Sequence, residues 1–200
     1  KLLIWGGYDG DSQKDLYEID LASGTPTWNL LDNGSTLTIP AQYSPALGIY
    51  QDKLSIVVYN SYSSGTYVQY CEYDLVGSNG WSEPATTNTP IVRFETGSAM
   101  IGNKLYLYGG RFSSTIYNNF YVLDVTTKAF SEISSSISMP SMSHCGLSAM
   151  NNNTKLILYG GISSTGYTLE YTIPTTITTY NPIEINKLTT SHSISVGPTY

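Results

Sequence analysis

The segment Lys104-Leu-Tyr-Leu-Tyr-Gly-Gly110 is one of four copies of a single pattern. The others are Lys1-Leu-Leu-Ile-Trp-Gly-Gly7, Lys53-Leu-Ser-Ile-Val-Val-Tyr59 and Lys155-Leu-Ile-Leu-Tyr-Gly-Gly161, with starts 52, 51 and 51 residues apart. Self-similarity at such a period marks a repeat architecture. Three further landmarks follow each copy in the same order. The first is Leu16–Asp20, Cys71–Asp74, Phe120–Asp124 and Leu169–Ile173. The second is one aromatic residue: Trp28, Trp81, Phe130 and Tyr180. The third is a small apolar stretch: Ala46–Ile49, Ser98–Ile101, Gly146–Met150 and Ser193–Gly197.

Each landmark is rich in β-branched and aromatic residues and is bounded by Gly, Pro, Asn or Ser, which is how a strand reads. No 3.6-residue apolar period lasts long enough for a helix. Four strands per unit of about 51 residues make one antiparallel sheet, apolar on both faces, which must stack on its neighbours to be buried. A doublet such as Gly6-Gly7 suits a strand end where φ turns positive or another chain comes close. Asp20, Asp74 and Asp124 stand where a short carboxylate can accept backbone N–H groups of the next turn. Val58-Tyr59 in the second unit and Pro174 in the fourth break the pattern, so altered turns or edges are expected there.

The Gly-Gly doublet after an apolar strand, the strand ending in Asp and the following Trp together resemble the kelch repeat of β-propellers. The resemblance covers all four units. It implies an all-β, kelch-type β-propeller in which four repeats of about 51 residues each form a four-stranded antiparallel blade. Residues 1–200 are then one propeller domain or a segment of one, with units near 1–51, 52–102, 103–153 and 154–200. His144 and His192 resemble the His that often precedes the inner strand of a kelch unit. The favoured reading is a piece cut from a longer propeller at a repeat boundary; a closed ring of four, with Ser193–Gly197 pairing beside Leu2–Trp5, and an open or fibrous array stand as alternatives.

The charge balance narrows the function. Nine basic against 15 acidic residues give a net charge of −6, and phosphate recognition needs a basic face that this chain lacks; no nucleic-acid partner is expected. No apolar run approaches the roughly 18 residues of a membrane span. Cys71 and Cys145 are too few for a disulfide framework and lack metal-ligand spacing, so buried free thiols are expected. Neither a nucleophile elbow nor a phosphate loop is present. The close acids Asp9 and Asp11 are followed by Ser12 and Gln13, which reads as a solvated turn rather than a calcium loop. No metal, cofactor or catalytic residue is expected. Galactose oxidase resembles kelch proteins in fold and uses copper, but its site has no residue-by-residue match here.

What remains is binding. In the topology that the resemblance implies, loops after the second strand and loops entering the inner strand emerge on one face, where kelch modules usually bind protein. The candidates there are Tyr8, Asp9, Asp11, Tyr62, Arg93, Arg111, Phe112 and Tyr167, because exposed Tyr, Phe and Arg anchor interfaces well. Asn33 and Asn152 begin glycosylation acceptor sequences, Asn33 on the incoming-loop side and Asn152 on the opposite one. With the low charge they favour an extracellular or cell-surface setting over a cytoplasmic one. The expected function is non-catalytic binding of a protein partner, or self-association, with a carbohydrate-binding propeller as the alternative and a copper enzyme less favoured.

Overall fold

The computed structural model describes residues 1–37, 44–62, 65–77, 79–135, 138–150, 152–162, 168–173 and 185–187. Those residues are all-β, in a series of antiparallel sheets. Sheet 1 holds β1 (Leu2–Tyr8), β2 (Ser12–Ile19) and β3 (Trp28–Asp32). Sheet 2 holds β4 (Ala46–Tyr50), β5 (Lys53–Tyr62), β6 (Gly65–Asp74) and β7 (Trp81–Ser82). In sheet 3, β8 (Gly97–Ile101) and β9 (Lys104–Tyr108) pair in turn with β12 (Phe120–Asp124) and β13 (Ala129–Ile133). The hairpin β10 (Arg111–Phe112) and β11 (Thr115–Ile116) is inserted between β9 and β12. Sheet 4 holds β14 (Ser143–Met150), β15 (Lys155–Ile162), β16 (Thr168–Thr172) and β17 (Ile185–Lys187). No helix among the described residues is long and apolar enough to cross a membrane.

The repeated lysine segment becomes the second strand of sheets 2 to 4, and strand alternation sorts its side chains onto two faces. The first and third residues after the lysine point back towards the preceding sheet, and we call that face the front. Leu54 and Ile56 meet Trp5 and Leu16 of sheet 1. Leu105 and Leu107 meet Val57 and Tyr59 of sheet 2. Leu156 and Leu158 meet Tyr106 and Tyr108 of sheet 3. The second and fourth residues form the back of each sheet, as Tyr106 and Tyr108 do. Three apolar cores therefore alternate with the sheets, each one a front seated on a back. Ion pairs reinforce the stacking: Glu72 on the back of sheet 2 pairs with Lys53 of its own sheet at 3.1 Å and with Lys128 of sheet 3. Its burial raises the Glu72 pKa, but hydrogen bonds from Lys128, Tyr70 and Lys53 outweigh this and hold the carboxyl below the ordinary range.

The first strands β4, β8 and β14 lie side by side at the narrow end of the stack. There Leu47 donates its N–H to Ser98 Oγ at 3.2 Å. A Cβ on Gly48 would stand 2.6 Å from that of Met100, and one on Gly97 3.0 Å from the carbonyl of Cys145. Only residues without side chains let the strands approach this closely.

The doublets behave as their composition dictates. Gly109 and Gly110 have φ of 64° and 92°, and a Cβ on Gly109 would meet Met142 O at 2.2 Å. Where Val58-Tyr59 replaces the doublet, β5 runs on to Tyr62 and pairs with β6 throughout. The aspartates cap their turns: Asp20 accepts from Ala22 N, Asp74 from Val76 N and Gly77 N, and Asp124 from Thr126 N and Thr127 N.

Two features differ from the expected pattern of four equal blades. Sheet 1 has three strands among the described residues, so β1 pairs with β2 alone where β5, β9 and β15 are paired on both sides. Among the described residues the sheets do not close into a ring. Tyr180, Pro174, His192 and the stretch Ser193–Gly197 lie outside the described residues.

Candidate protein-interaction face

Sheet 3 builds a platform where its second strand ends. After Gly110 the chain folds into the β10–β11 hairpin, which is bonded to its neighbours through the backbone. Arg111 and Phe94 exchange N–H···O bonds of 2.8 and 2.7 Å, and Gly110 N–H reaches Met142 O at 2.7 Å. The hairpin is thereby fastened both to the loop entering sheet 3 and to the loop entering sheet 4. Phe112 stacks on Phe94 with ring centres 6.4 Å apart, and Phe94 meets Tyr59 edge-on at the same distance. Tyr108 Oη donates to Pro140 O at 2.5 Å, holding the second incoming loop.

Charged residues tie the same loops. Glu95 is buried; its Oε1 accepts from Arg111 Nη2 at 2.9 Å, and its Oε2 stands 2.6 Å from Arg111 Nε and 3.1 Å from His144 Nδ1. His144 N–H also donates to Glu95 O at 2.9 Å. Glu95 and His144 both have positive φ, 62° and 54°, so backbone strain is held in place by this junction. Beside the hairpin lies a groove of about 330 Å³ lined by Tyr67, Val68, Thr89, Pro90, Ile91, Val92 and Phe112. Ile91 at its rim is 64% exposed.

The expected contact residues fall differently. Arg111 is exposed on the platform and Phe112 is half-buried against it. Asp9 and Asp11 are exposed in the β1–β2 turn, where Gln13 Nε2 donates to Asp9 Oδ1 at 2.5 Å and to Asp11 O at 3.2 Å. Tyr8 ends β1 opposite Ser12, and Tyr62 ends β5 opposite Gly65. Tyr167 lies outside the described residues.

Arg93 is a correction, since it was expected to be exposed and is only 2% accessible. Its Nε donates to Ile91 O at 3.0 Å and its Nη1 to Gly109 O at 3.3 Å, while the guanidinium lies 4.4 Å from the ring centre of Tyr117 and 5.1 Å from that of Tyr121. Carbonyls and aromatic faces replace its hydration, so it locks the platform from beneath. Glu95 was not anticipated at all. A lone Glu in a loop carries no motif, and only the alternation Arg93-Phe94-Glu95 hinted at a charge facing away from Phe94.

Neither cysteine is poised for chemistry. Both are free and buried, and burial pushes each thiol pKa up. Burial likewise pushes Tyr59 up to about 12, against the opposing pull of a Thr96 hydrogen bond and the Arg93 charge. Asn33 and Asn152 are both exposed, Asn33 just after β3 and Asn152 in the turn between β14 and β15 at the other ends of the strands.

Stacked antiparallel sheets with loops gathered at one end are the build of a β-propeller-type module. The chain belongs to the kelch-repeat family: residues 1–193 match the family model described as the KLHDC2/KLHL20/DRC7 Kelch-repeats domain. No individual curated protein matches it.

Proposed function

We propose that this chain is a non-catalytic propeller segment whose four sheets are consecutive blades and which binds a protein partner through the platform around Arg111, Phe112 and Ile91. One observation carries the reading: the β10–β11 hairpin is fixed by backbone bonds to two incoming loops, so it presents aromatic, aliphatic and guanidinium groups beside a groove without an ordering cost on binding. Tyr8, Asp9, Asp11 and Tyr62 extend the same face across sheets 1 and 2. Exposed acceptor sequences at Asn33 and Asn152 support an extracellular setting, which a glycosidase-sensitive mass of the secreted chain would test.

The test of the binding face is site-specific photocrosslinking in the native setting. A photoreactive residue at Ile91 is expected to capture a protein that the unmodified chain competes away, and that the Arg111→Glu variant no longer captures. Equal capture from Thr126, in the turn at the opposite ends of the strands, would sink the assignment.

A further inference from the structure

The sequence holds two Asn-Gly dipeptides, Asn33-Gly34 and Asn79-Gly80. An asparagine followed by glycine is open to attack by its own backbone, because no Cβ on the next residue crowds the approach of its nitrogen to the side-chain carbonyl. Both glycines lie in the left-handed region, at φ of 69° and 60°, and both asparagines are exposed to water.

The two junctions differ at the glycine nitrogen. Gly34 N–H donates to Asp32 Oδ1 at 2.6 Å, and Asn33 Oδ1 accepts from Ser35 N–H at 3.0 Å. Gly34 is buried, and a Cβ there would lie 2.5 Å from Lys14 Cγ. Its carbonyl accepts from Leu37 N–H at 3.1 Å, and Leu37 is seated in the core with Trp5 and Leu16. The peptide is thus fixed on both sides. In the turn between β6 and β7, by contrast, Gly80 N–H has no acceptor among the described residues, and the space around a would-be Cβ is open. Asn79 Nδ2 donates to Asp74 Oδ2 at 3.2 Å, and Gly80 O accepts from Asp74 N–H at 3.1 Å.

We propose that Asn79 is a site of spontaneous backbone modification in the folded chain, forming a succinimide that opens to aspartate and isoaspartate, and that Asp32 withholds the same fate from Asn33. In the first step Gly80 N gives its proton to solvent and attacks Asn79 Cγ. The N–Cγ bond forms, the Cγ–Nδ2 bond breaks, and Nδ2 takes a proton from water and leaves as ammonia. Water then opens the ring: addition at Cγ yields aspartate, and addition at the main-chain carbonyl of residue 79 yields isoaspartate. At Gly34 the same attack must give up a hydrogen bond and create an amide anion 2.6 Å from a carboxylate, which like-charge repulsion opposes. The product acts on the fold. A carboxylate replaces the amide that donated to Asp74, and isoaspartate adds one atom to the backbone ahead of Gly80, whose carbonyl closes the turn beside Trp81. This turn lies at the ends of the strands away from the loop platform, so the proposed partner site plays no part in it.

Peptide mapping of the folded chain during incubation at mildly alkaline pH tests the proposal, with protein from a host that adds no N-linked glycans so that Asn33 keeps its amide. Asn79 is expected to convert about 10-fold or more faster than Asn33, which is the worth of one hydrogen bond to a carboxylate. In strong urea Asp32 no longer holds Gly34, and the two rates are expected to converge. Asp32→Ala is expected to speed conversion at Asn33 and to leave Asn79 as it was. The unmodified chain decides the matter even if that variant misfolds. Equal rates at the two asparagines in the folded chain, or a difference that persists undiminished in urea, would overturn the proposal.

Discussion

Arg111 places two guanidinium nitrogens side by side on the carboxylate of Glu95, at 2.6 and 2.9 Å, from a hairpin that lies outside the four main sheets. The acid is buried and the base half-exposed, so the pair joins hairpin to loop at unequal solvation. Arg111→Ala strands the buried carboxylate with the His144 imidazole as its remaining polar side-chain neighbour. The expected loss is about 2 kcal/mol, below the ~3–5 kcal/mol of a fully buried pair because water already reaches the arginine. Adding Glu95→Gln to Arg111→Ala is expected to recover more than half of that loss, since no charge is then left unpaired. Urea unfolding of the two single variants and the double variant measures it; strictly additive losses would count against the coupling.

Phe130 and Trp28 hold the same place in the third and first units but not the same environment. Phe130→Ala is expected to cost about 3–5 kcal/mol, as for any large aromatic removed from a filled core. Trp28→Ala is expected to cost less than about 1 kcal/mol, since its ring is exposed. Thermal or denaturant midpoints at low protein concentration distinguish the two.

Glycine doublets differ in what surrounds them. Gly160 has φ of 68° with open space around a would-be Cβ, so Gly160→Ala is expected to cost only the left-handed penalty of about 1–2 kcal/mol. At Gly109 the same methyl would also press on Met142 O. Gly109→Ala is expected to cost clearly more than Gly160→Ala and to raise amide exchange in the hairpin, which hydrogen-exchange mass spectrometry reads directly.

The pH dependence has two limbs. Burial raises the pKa of Asp124, but hydrogen bonds from Lys104 and Thr126 outweigh it and hold the group well below the carboxylate range; Glu72 is depressed as well. A carboxylate with a depressed folded pKa adds stability that is present above its unfolded value and lost as pH falls through the folded one. The melting temperature is therefore expected to hold from neutral to about pH 5 and to fall below it, and Asp124→Asn to flatten that fall. Tyr59 acts in the other direction, since burial raises it to about 12 and favours the neutral phenol. Its contribution is complete below about pH 10 and is lost as pH rises through the folded value. Tyrosinate absorbance is expected to appear together with unfolding in that range.

The repeat was legible because its causes are local. A lysine followed by alternating apolar residues sets a strand and its two faces, the doublets turn where φ is positive, and the aspartates cap the turns that follow. The platform was not legible in the same way. A hairpin of two-residue strands has no periodicity, and it exists because Phe94, far along the chain, pairs with Arg111. The burial of Arg93 depends on carbonyls of Ile91 and Gly109 and on the rings of Tyr117 and Tyr121, none of which announces itself from sequence spacing. Exposure of Leu2 and Ile4 was hidden for the opposite reason: their sequence is that of buried positions, but among the described residues no sheet lies against their face.

Gly48 and Gly97 have a consequence for curvature. Successive first strands are separated there by little more than backbone, while the outer parts of the same sheets are held apart by rings such as those of Trp5, Trp81, Tyr106 and Tyr171. A wedge that is thin inside and thick outside fans the sheets, and the fan angle is set by the difference in volume between the two ends. Bulk added at the glycines would reduce the angle between successive sheets without breaking a ladder bond, and bulk removed from the rings would do the same from the other side. How far one sheet turns from the next is thus encoded in a few side-chain volumes rather than in the hydrogen-bonded framework.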